Sequence, residues 1–180
     1  MKVEVRFAGL GGQGMVLAGQ ILGKAAVFDG LFAVQTQSYG AEARGSAAKS
    51  EVVISDKKVW FPFVRKCDVL IALSQQALNK YVEDLKENGV LIMDSGYIKE
   101  APRSFKGKIY SFSFSKIAKE KFGNEIFANV IVLGFLSEML HLVSEESLKK
   151  AVIASVPSKY KRENLEAFDL GIEVAKRLKG

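Results

Sequence analysis

Val3-Glu4-Val5-Arg6-Phe7-Ala8-Gly9-Leu10-Gly11-Gly12-Gln13-Gly14, followed at once by Met15-Val16-Leu17-Ala18, is the stretch whose reading decides how this chain folds. Val3 to Ala8 is a short β-rich run ending at a glycine cluster, and Met15 to Phe28 continues with apolar residues at helical spacing. The segment therefore reads as strand, tight turn and helix. Gly9, Gly11 and Gly14 complete a G-x-G-x-x-G pattern in the context its chemistry needs, directly after a strand and opening a helix. Glycines there permit positive φ and close backbone approach, while amides at a helix start favour an anion such as a diphosphate or a carboxylate. Gly9, Gly11, Gly12, Gln13 and Gly14 are accordingly candidate cofactor-binding residues. A purely steric reading also stands, in which the glycines let helix and strand pack closely.

Working outward, Gly30 suits the stop position of that helix. Leu31 to Thr36 reads as a second strand, expected to pair parallel to the first through a right-handed crossover. A nicotinamide dinucleotide calls for an acidic residue about 20 residues after the motif, at the end of this strand. The strand end is Gln35-Thr36-Gln37, and Asp29 sits before the strand, which disfavours that ligand. Gln37 to Lys49, rich in Gly, Ala and Ser, reads as a long loop, and Glu51 to Ser55 with Lys58 to Phe61 as two strands around an Asp56-Lys57 turn. Asp68 to Leu73 is a continuous apolar run suited to a buried parallel strand. Gln75 to Glu87 follows at helical spacing, and Val90 to Met93 is another strand. Lys108 to Phe114 is a further strand, and Ser115 to Lys121 begins a helix with Ser113 or Ser115 as cap. Asn129 to Leu142 predicts a buried helix. Ser144 caps the next, with Glu145 and Glu146 at its positive end, and Asn164 to Leu178 is amphipathic, with Leu165, Phe168, Ile172 and Ala175 on one face. No repeat or linker divides residues 1–180. The pattern predicts one doubly wound, Rossmann-like α/β domain with a mainly parallel sheet and a helical C-terminal third.

Composition narrows the function classes. Hydrophobic residues at 48% and charged residues at 26% describe an ordinary globular chain. The net charge is +6, but the lysines are spread along helical patterns and alternate with glutamates, as at Glu145, Glu146, Lys149 and Lys150, so most of them read as a solvated face. Aromatics do not interleave with a basic run and no helix-turn-helix signature is present, so nucleic acid is not an expected partner. Lys159, Lys161 and Arg162 form a local basic cluster that reads first as plain surface. No apolar stretch reaches the roughly 18 residues of a membrane span, and the N-terminus lacks the long apolar segment of a secretory signal. A cytoplasmic chain without a membrane partner is expected. The single Cys67 cannot hold a zinc ion or an iron–sulfur cluster. His141, the one histidine, has no evident nucleophile beside it and reads as structural. Asp94-Ser95-Gly96 reads as a turn at the edge where α/β proteins bind ligands, and Trp60 to Phe63 as an apolar patch that covers either the domain's own core or a partner chain.

Gly-Gly-Gln-Gly at residues 11–14, Ser38-Tyr39-Gly40 leading into Glu42, Arg44 and Gly45, and Ser-Glu-Val-Val-Ile-Ser at residues 50–55 together resemble the gamma subunit of 2-oxoacid:ferredoxin oxidoreductases. The Ser-Tyr-Gly form is similar to the 2-oxoglutarate branch; the pyruvate branch more often carries Phe-Gly with a doubled arginine, and the indolepyruvate branch Thr-His-Gly. The resemblance extends to Asn129, to Gly134 in the helix it leads, and to Asn164-Leu165 with Ala167, Phe168 and Gly171. Ser46 departs from the family, which usually shows a second glycine there.

The resemblance implies a hetero-oligomer that oxidatively decarboxylates a 2-oxoacid, passes the acyl group to coenzyme A and sends electrons to ferredoxin. Its holoenzyme cofactors would be thiamine diphosphate, magnesium, iron–sulfur clusters and coenzyme A. Partners would be alpha and beta subunits carrying thiamine diphosphate and a ferredoxin-like cluster subunit. This chain shows no Gly-Asp-Gly thiamine motif and no cysteine array, so no catalytic or metal residue is assigned to it. The glycine loop, Tyr39 and Arg44 are its candidate contacts to coenzyme A. Arg44 has an equal reading as a partner of Glu42 or of a carboxylate across an interface, and Tyr39 as an aromatic packed under the loop. The competing functions are a stand-alone nucleotide-binding oxidoreductase and an interaction module whose glycine loop binds nothing.

Overall fold

The computed structural model describes residues 1–39 and 47–180. The opening run forms strand β1 (Lys2–Leu10), and helix α1 (Met15–Phe28) follows the glycine loop. The remaining strands are β2 (Phe32–Ser38), β3 (Ala47–Ser55), β4 (Cys67–Ala72), β5 (Leu85–Asp94) and β6 (Lys108–Phe112). They form one sheet in the order β2-β3-β1-β4-β5-β6. β1, β4, β5 and β6 pair in parallel, with Val5 opposite Val69 and Val69 opposite Val90. The doubly wound, mainly parallel α/β architecture expected from the sequence is present.

The pairing of β2 corrects the sequence expectation. β2 does not lie beside β1; β3 is inserted between them and runs antiparallel to both, from Lys2 opposite Ser55 to Leu10 opposite Ala47 on one side and from Phe32 opposite Ser55 to Ser38 opposite Lys49 on the other. The reason is burial on both faces. β3 is buried along nearly its whole length and suits an interior position, whereas β2 is half-exposed and suits an edge. Ala47 to Lys49, read as loop, is the first part of this strand. The second strand expected at Lys58 to Phe61 does not form, because both edges of β3 are already occupied. The helix expected over Gln75 to Glu87 is also shorter: α2 (Gln75–Tyr81) ends in a 3-10 turn at Val82–Asp84, and Leu85 already starts β5 opposite Cys67.

Helices cover both faces unequally. α2 packs on one face over Ala8, Leu70 and Ala72. The other face carries α1 together with α3 (Phe114–Phe122), α4 (Ala128–Leu140), α5 (Glu145–Ser155) and α6 (Lys161–Lys179) around Phe114, Phe135 and Phe168. Ser144 caps α5 as expected, its Oγ accepting from the Ser147 N–H at 3.2 Å. Asp29 ties the end of α1 to that cap by accepting from Ser144 N–H and from the hydroxyls of Ser144 and Ser147. α4 and α6 meet backbone to backbone: a Cβ on Gly134 would strike the carbonyl of Phe168, and one on Gly171 the carbonyl of Ile131. These two glycines set the depth of the helix crossing.

An ionic cluster lies within the α2 face. Arg6 on β1 is 1% exposed and Glu51 on β3 is 4% exposed. Arg6 Nε donates to Glu51 Oε1 at 2.7 Å, Nη1 to Asp84 at 2.5 Å and Nη2 to the Val64 carbonyl at 3.1 Å. Lys49 Nζ also reaches Glu51 at 2.8 Å. Burial works against the guanidinium charge, but the hydrogen bond to Asp84 and the field of Glu51 outweigh it and lift Arg6 above its ordinary value. Every charged partner is hydrogen-bonded, the condition under which buried charge is tolerated.

Candidate functional site

The glycine loop stands at the C-terminal edge of the parallel strands, where open α/β sheets bind ligands. Each of its members has a distinct physical role. Gln13 folds back over the turn: its Oε1 accepts from Leu10 N–H at 2.6 Å and its Nε2 donates to the Leu73 carbonyl at 3.1 Å, joining the loop to the end of β4. Gly9 leaves the space Gln13 needs, since a Cβ there would meet Gln13 Oε1. Gly12 and Gly14 have φ of 90° and 77°, a left-handed conformation that glycine adopts without strain. Gly14 also lies against Asn129 of α4, whose Nδ2 donates to the Gly14 carbonyl at 3.3 Å. Gly11 has neither constraint: its φ is not positive, and among the described residues nothing lies within 4 Å of where its Cβ would be. Steric packing therefore accounts for Gly9 and Gly14 and leaves Gly11 unexplained.

Gly11 and Gly12 are exposed at the mouth of a cleft of about 310 Å³, lined also by Leu73, Tyr97, Ser115, Asn124, Glu125 and Ala128. Tyr97 hydroxyl donates to Glu125 across the cleft, and this hydrogen bond pushes Tyr97 above its ordinary value. Beyond that bridge a second hollow of about 680 Å³ carries Lys99, Lys116 and Lys119 together with Glu120. The floor between them is fixed by Asp94, fully buried at the end of β5. Its Oδ1 accepts from Gly96 N–H at 2.9 Å, and its Oδ2 accepts from the Ser115 N–H at 2.9 Å and from the Ser115 hydroxyl. The Asp94-Ser95-Gly96 turn thus does more than reverse the chain: its carboxylate caps α3, a task the sequence assigned to Ser113 or Ser115.

Of the residues proposed from sequence, Gly9, Gly11, Gly12, Gln13 and Gly14 are brought together. Tyr39, 64% exposed, follows β2 at the same edge of the sheet, since Ser38 pairs with Lys49 and Lys49 with Ala8. Arg44 lies outside the described residues. Sequence reasoning missed Tyr97, Ser115, Glu125 and the lysines around them. They come from two later segments that meet the glycine loop only through the parallel order β1-β4-β5-β6. The signal available was Asp94 at the end of an apolar strand, the position that faces the ligand edge.

Three other groups have structural places. Cys67 is buried against the Asp84 carbonyl, and burial pushes its thiol up to about 11, so it is protonated and unreactive at neutral pH. His141 is the left-handed C-cap of α4, with φ of 48°. Among the described residues, no group of three or more His, Cys, Asp or Glu side chains is placed to hold a metal ion, and no helix is long and apolar enough to cross a membrane.

The sequence profile of the pyruvate ferredoxin/flavodoxin oxidoreductase family matches residues 4–174. The 2-oxoglutarate synthase subunit KorC of Methanocaldococcus jannaschii is 48% identical over 180 residues, covering 99% of this chain and 96% of that relative. The crystal structure of a keto/oxoacid ferredoxin oxidoreductase gamma subunit from Geobacter sulfurreducens is 44% identical and superimposes with a TM-score of 0.87 over 97% of this chain and 99% of the other. A 2-oxoglutarate:ferredoxin oxidoreductase from Magnetococcus marinus, solved with 2-oxoglutarate, coenzyme A and succinyl-CoA bound, is 26% identical with a TM-score of 0.82. It covers 98% of this chain, which spans 31% of that longer one. The likeness runs through nearly the full length of this chain, and the chain belongs to the pyruvate ferredoxin/flavodoxin oxidoreductase family as a gamma-type subunit.

Proposed function

We propose that this chain works as the gamma subunit of a cytoplasmic 2-oxoglutarate:ferredoxin oxidoreductase and that its glycine loop forms part of the coenzyme A site. The full-length likeness to a 2-oxoglutarate synthase subunit supports the substrate. The observation that carries the ligand is Gly11, a glycine without a steric reason at the mouth of a cleft on the ligand edge of the sheet. Backbone at Gly11 and Gly12 is open to close approach by a diphosphate. Gln13 and Asn129 hold the loop from behind and are positioning residues. The lysines beyond the Tyr97–Glu125 bridge are the nearest cations to a ligand extending from the loop among those lining the two hollows. In this reading, alpha and beta subunits carry thiamine diphosphate with its magnesium, and a ferredoxin-like subunit carries the iron–sulfur clusters. One Cys and the absence of a thiamine motif in the sequence leave no residues here to which a step of that chemistry is assigned.

The test is kinetic and uses the assembled enzyme. Gly11→Val should raise KM for coenzyme A about tenfold or more while KM for 2-oxoglutarate stays within twofold, because a branched side chain excludes the backbone approach without touching the 2-oxoacid pocket. Equal KM values for coenzyme A in wild type and variant would remove the glycine loop from the site.

A further inference from the structure

Residues 56–66 leave β3 and enter β4 at the sheet edge opposite the glycine loop, since Ser55 pairs with Lys2 and β4 runs parallel to β1. This connection displays Trp60 at 82% exposure, the most exposed large apolar side chain among the described residues, with Phe61 at 50% and Phe63 at 60%. Phe61 and Phe63 touch edge to face, 5.7 Å between centroids. The sequence reading left open whether this patch covers the domain's own core, and these exposures answer that it does not.

The segment is held firmly while its aromatics face outward. Val64 is buried and its carbonyl accepts from Arg6. Lys66 Nζ donates to the Glu83 carbonyl at 3.0 Å, and Asp56 pairs with the N-terminal ammonium at 2.8 Å. A loop fixed at both ends presents its apolar side chains without the entropy cost of ordering them on binding. Contiguous exposed aromatics of this kind mark interaction sites. Within the segment the exposed charges besides Asp56 are Lys57, Lys58, Arg65 and Lys66, and Glu83 and Glu87 share a hollow with Lys66 at its far end; Lys58 Nζ stands 4.4 Å from the Trp60 ring centre and Arg65 5.6 Å from that of Phe61. Asp56, the one acidic residue in the segment, is already paired.

That charge pattern selects the occupant. A second copy would set four cations against four, which disfavours self-association. We propose that residues 57–66 are the surface by which this chain docks on another subunit of its oxidoreductase, one presenting an apolar pocket bordered by carboxylates. The proposal rests on the gamma-subunit reading above. Docking at this edge leaves the glycine loop, at the other, free to face the reaction.

The chain has a single tryptophan, so incorporation of 5-fluorotryptophan gives one ¹⁹F resonance that reports Trp60 alone. The labelled full chain is mixed with the purified partner subunits, and sizing chromatography reads whether they assemble. In the assembled fraction the resonance should move and lose its response to exchange of H₂O for D₂O. A Trp60→Ser, Phe63→Ser double variant should weaken association on the order of thirtyfold, as expected when two buried aromatic anchors are lost. Lys58→Glu with Arg65→Glu should slow association, and the difference should shrink as salt is added. All these positions are exposed, so unchanged thermal melting of the free variants confirms that they fold. An unchanged resonance in an assembly that has formed overturns the docking surface and leaves the subunit reading standing. A resonance that moves with the concentration of the chain alone identifies a second copy as occupant and overturns the proposal. Failure of any assembly to form overturns the subunit reading and the proposal together.

Discussion

Two glycines inside helices should respond to the same substitution with opposite signs. In an unconstrained helix interior, Gly→Ala stabilises by about 1 kcal/mol because the unfolded glycine loses more freedom on folding. Gly23 in α1 is such a site: the new Cβ would sit 4.0 Å from Val52 Cγ1, an ordinary contact. Gly134 in α4 is not. Its Cβ would fall on the Phe168 carbonyl and 3.2 Å from Ile172 N, and backbone atoms cannot rotate away. Relief requires α4 and α6 to separate, which costs about 3 kcal/mol as overpacking does in well-filled cores, so about 2 kcal/mol remains after the propensity gain. For a chain of this size 1 kcal/mol corresponds to roughly 2–4 °C in Tm. Gly23→Ala should therefore raise Tm by roughly 2–4 °C, and Gly134→Ala should lower it by roughly 4–8 °C, read by far-UV circular dichroism. A Gly134→Ala variant as stable as wild type would refute the backbone crossing of α4 and α6.

Arg6→Met strands Glu51 in the core with only Lys49 and Thr36 beside it, and urea denaturation should show a loss of about 3 kcal/mol; adding Glu51→Gln should recover part of it, and full additivity of the two changes would argue against the pair. Asp29 is the acid-sensitive group at the α1–α5 junction. Desolvation raises its carboxyl, but the hydroxyl donors Ser144 and Ser147 and the Ser144 N–H outweigh this and hold it below the usual carboxylate range. A depressed folded value means that its stabilisation is present above the unfolded value near 4 and is lost as pH falls through the folded one. Between pH 7 and pH 2 the wild type should thus lose more stability than Asp29→Asn, and identical slopes of unfolding free energy against pH would exclude the contribution.

Apart from the strand expected at Lys58 to Phe61, the order of strands and helices was legible because apolar spacing reports local geometry. Val3 to Phe28 reads correctly from its periods alone, as do the buried runs at Asp68 to Leu73 and Asn129 to Leu142. Sheet order was not legible, because β2 and β3 both offer β-rich residues, and only burial of β3 on two faces decides which lies beside β1. Arg6 shows the same limit. A charged residue in a strand reads as solvent-facing until the fold brings Glu51 and Asp84 to it. For the site, the glycine loop was visible because backbone demands fix residue type locally. Tyr97, Ser115 and Glu125 were hidden because they are ordinary residues that acquire a role only by juxtaposition. Gln13 lies between these cases: it was singled out by motif, and the structure places its amide within the loop, where it bonds Leu10 and Leu73.

The insertion of β3 between β1 and β2 has a consequence for how the chain is made. Synthesis delivers β1, α1 and β2 first, yet those pieces share no native strand pairing. A nascent chain halted before Ala47 would hold the β3-facing edges of β1 and β2 unpaired and the apolar face of α1 uncovered at once, a sticky intermediate of the sort that recruits chaperones. Emergence of one further strand satisfies both edges together, because β3 is the seam along which they join. The N-terminal half of this subunit is therefore closed from its middle, by the strand that synthesis delivers last of the three.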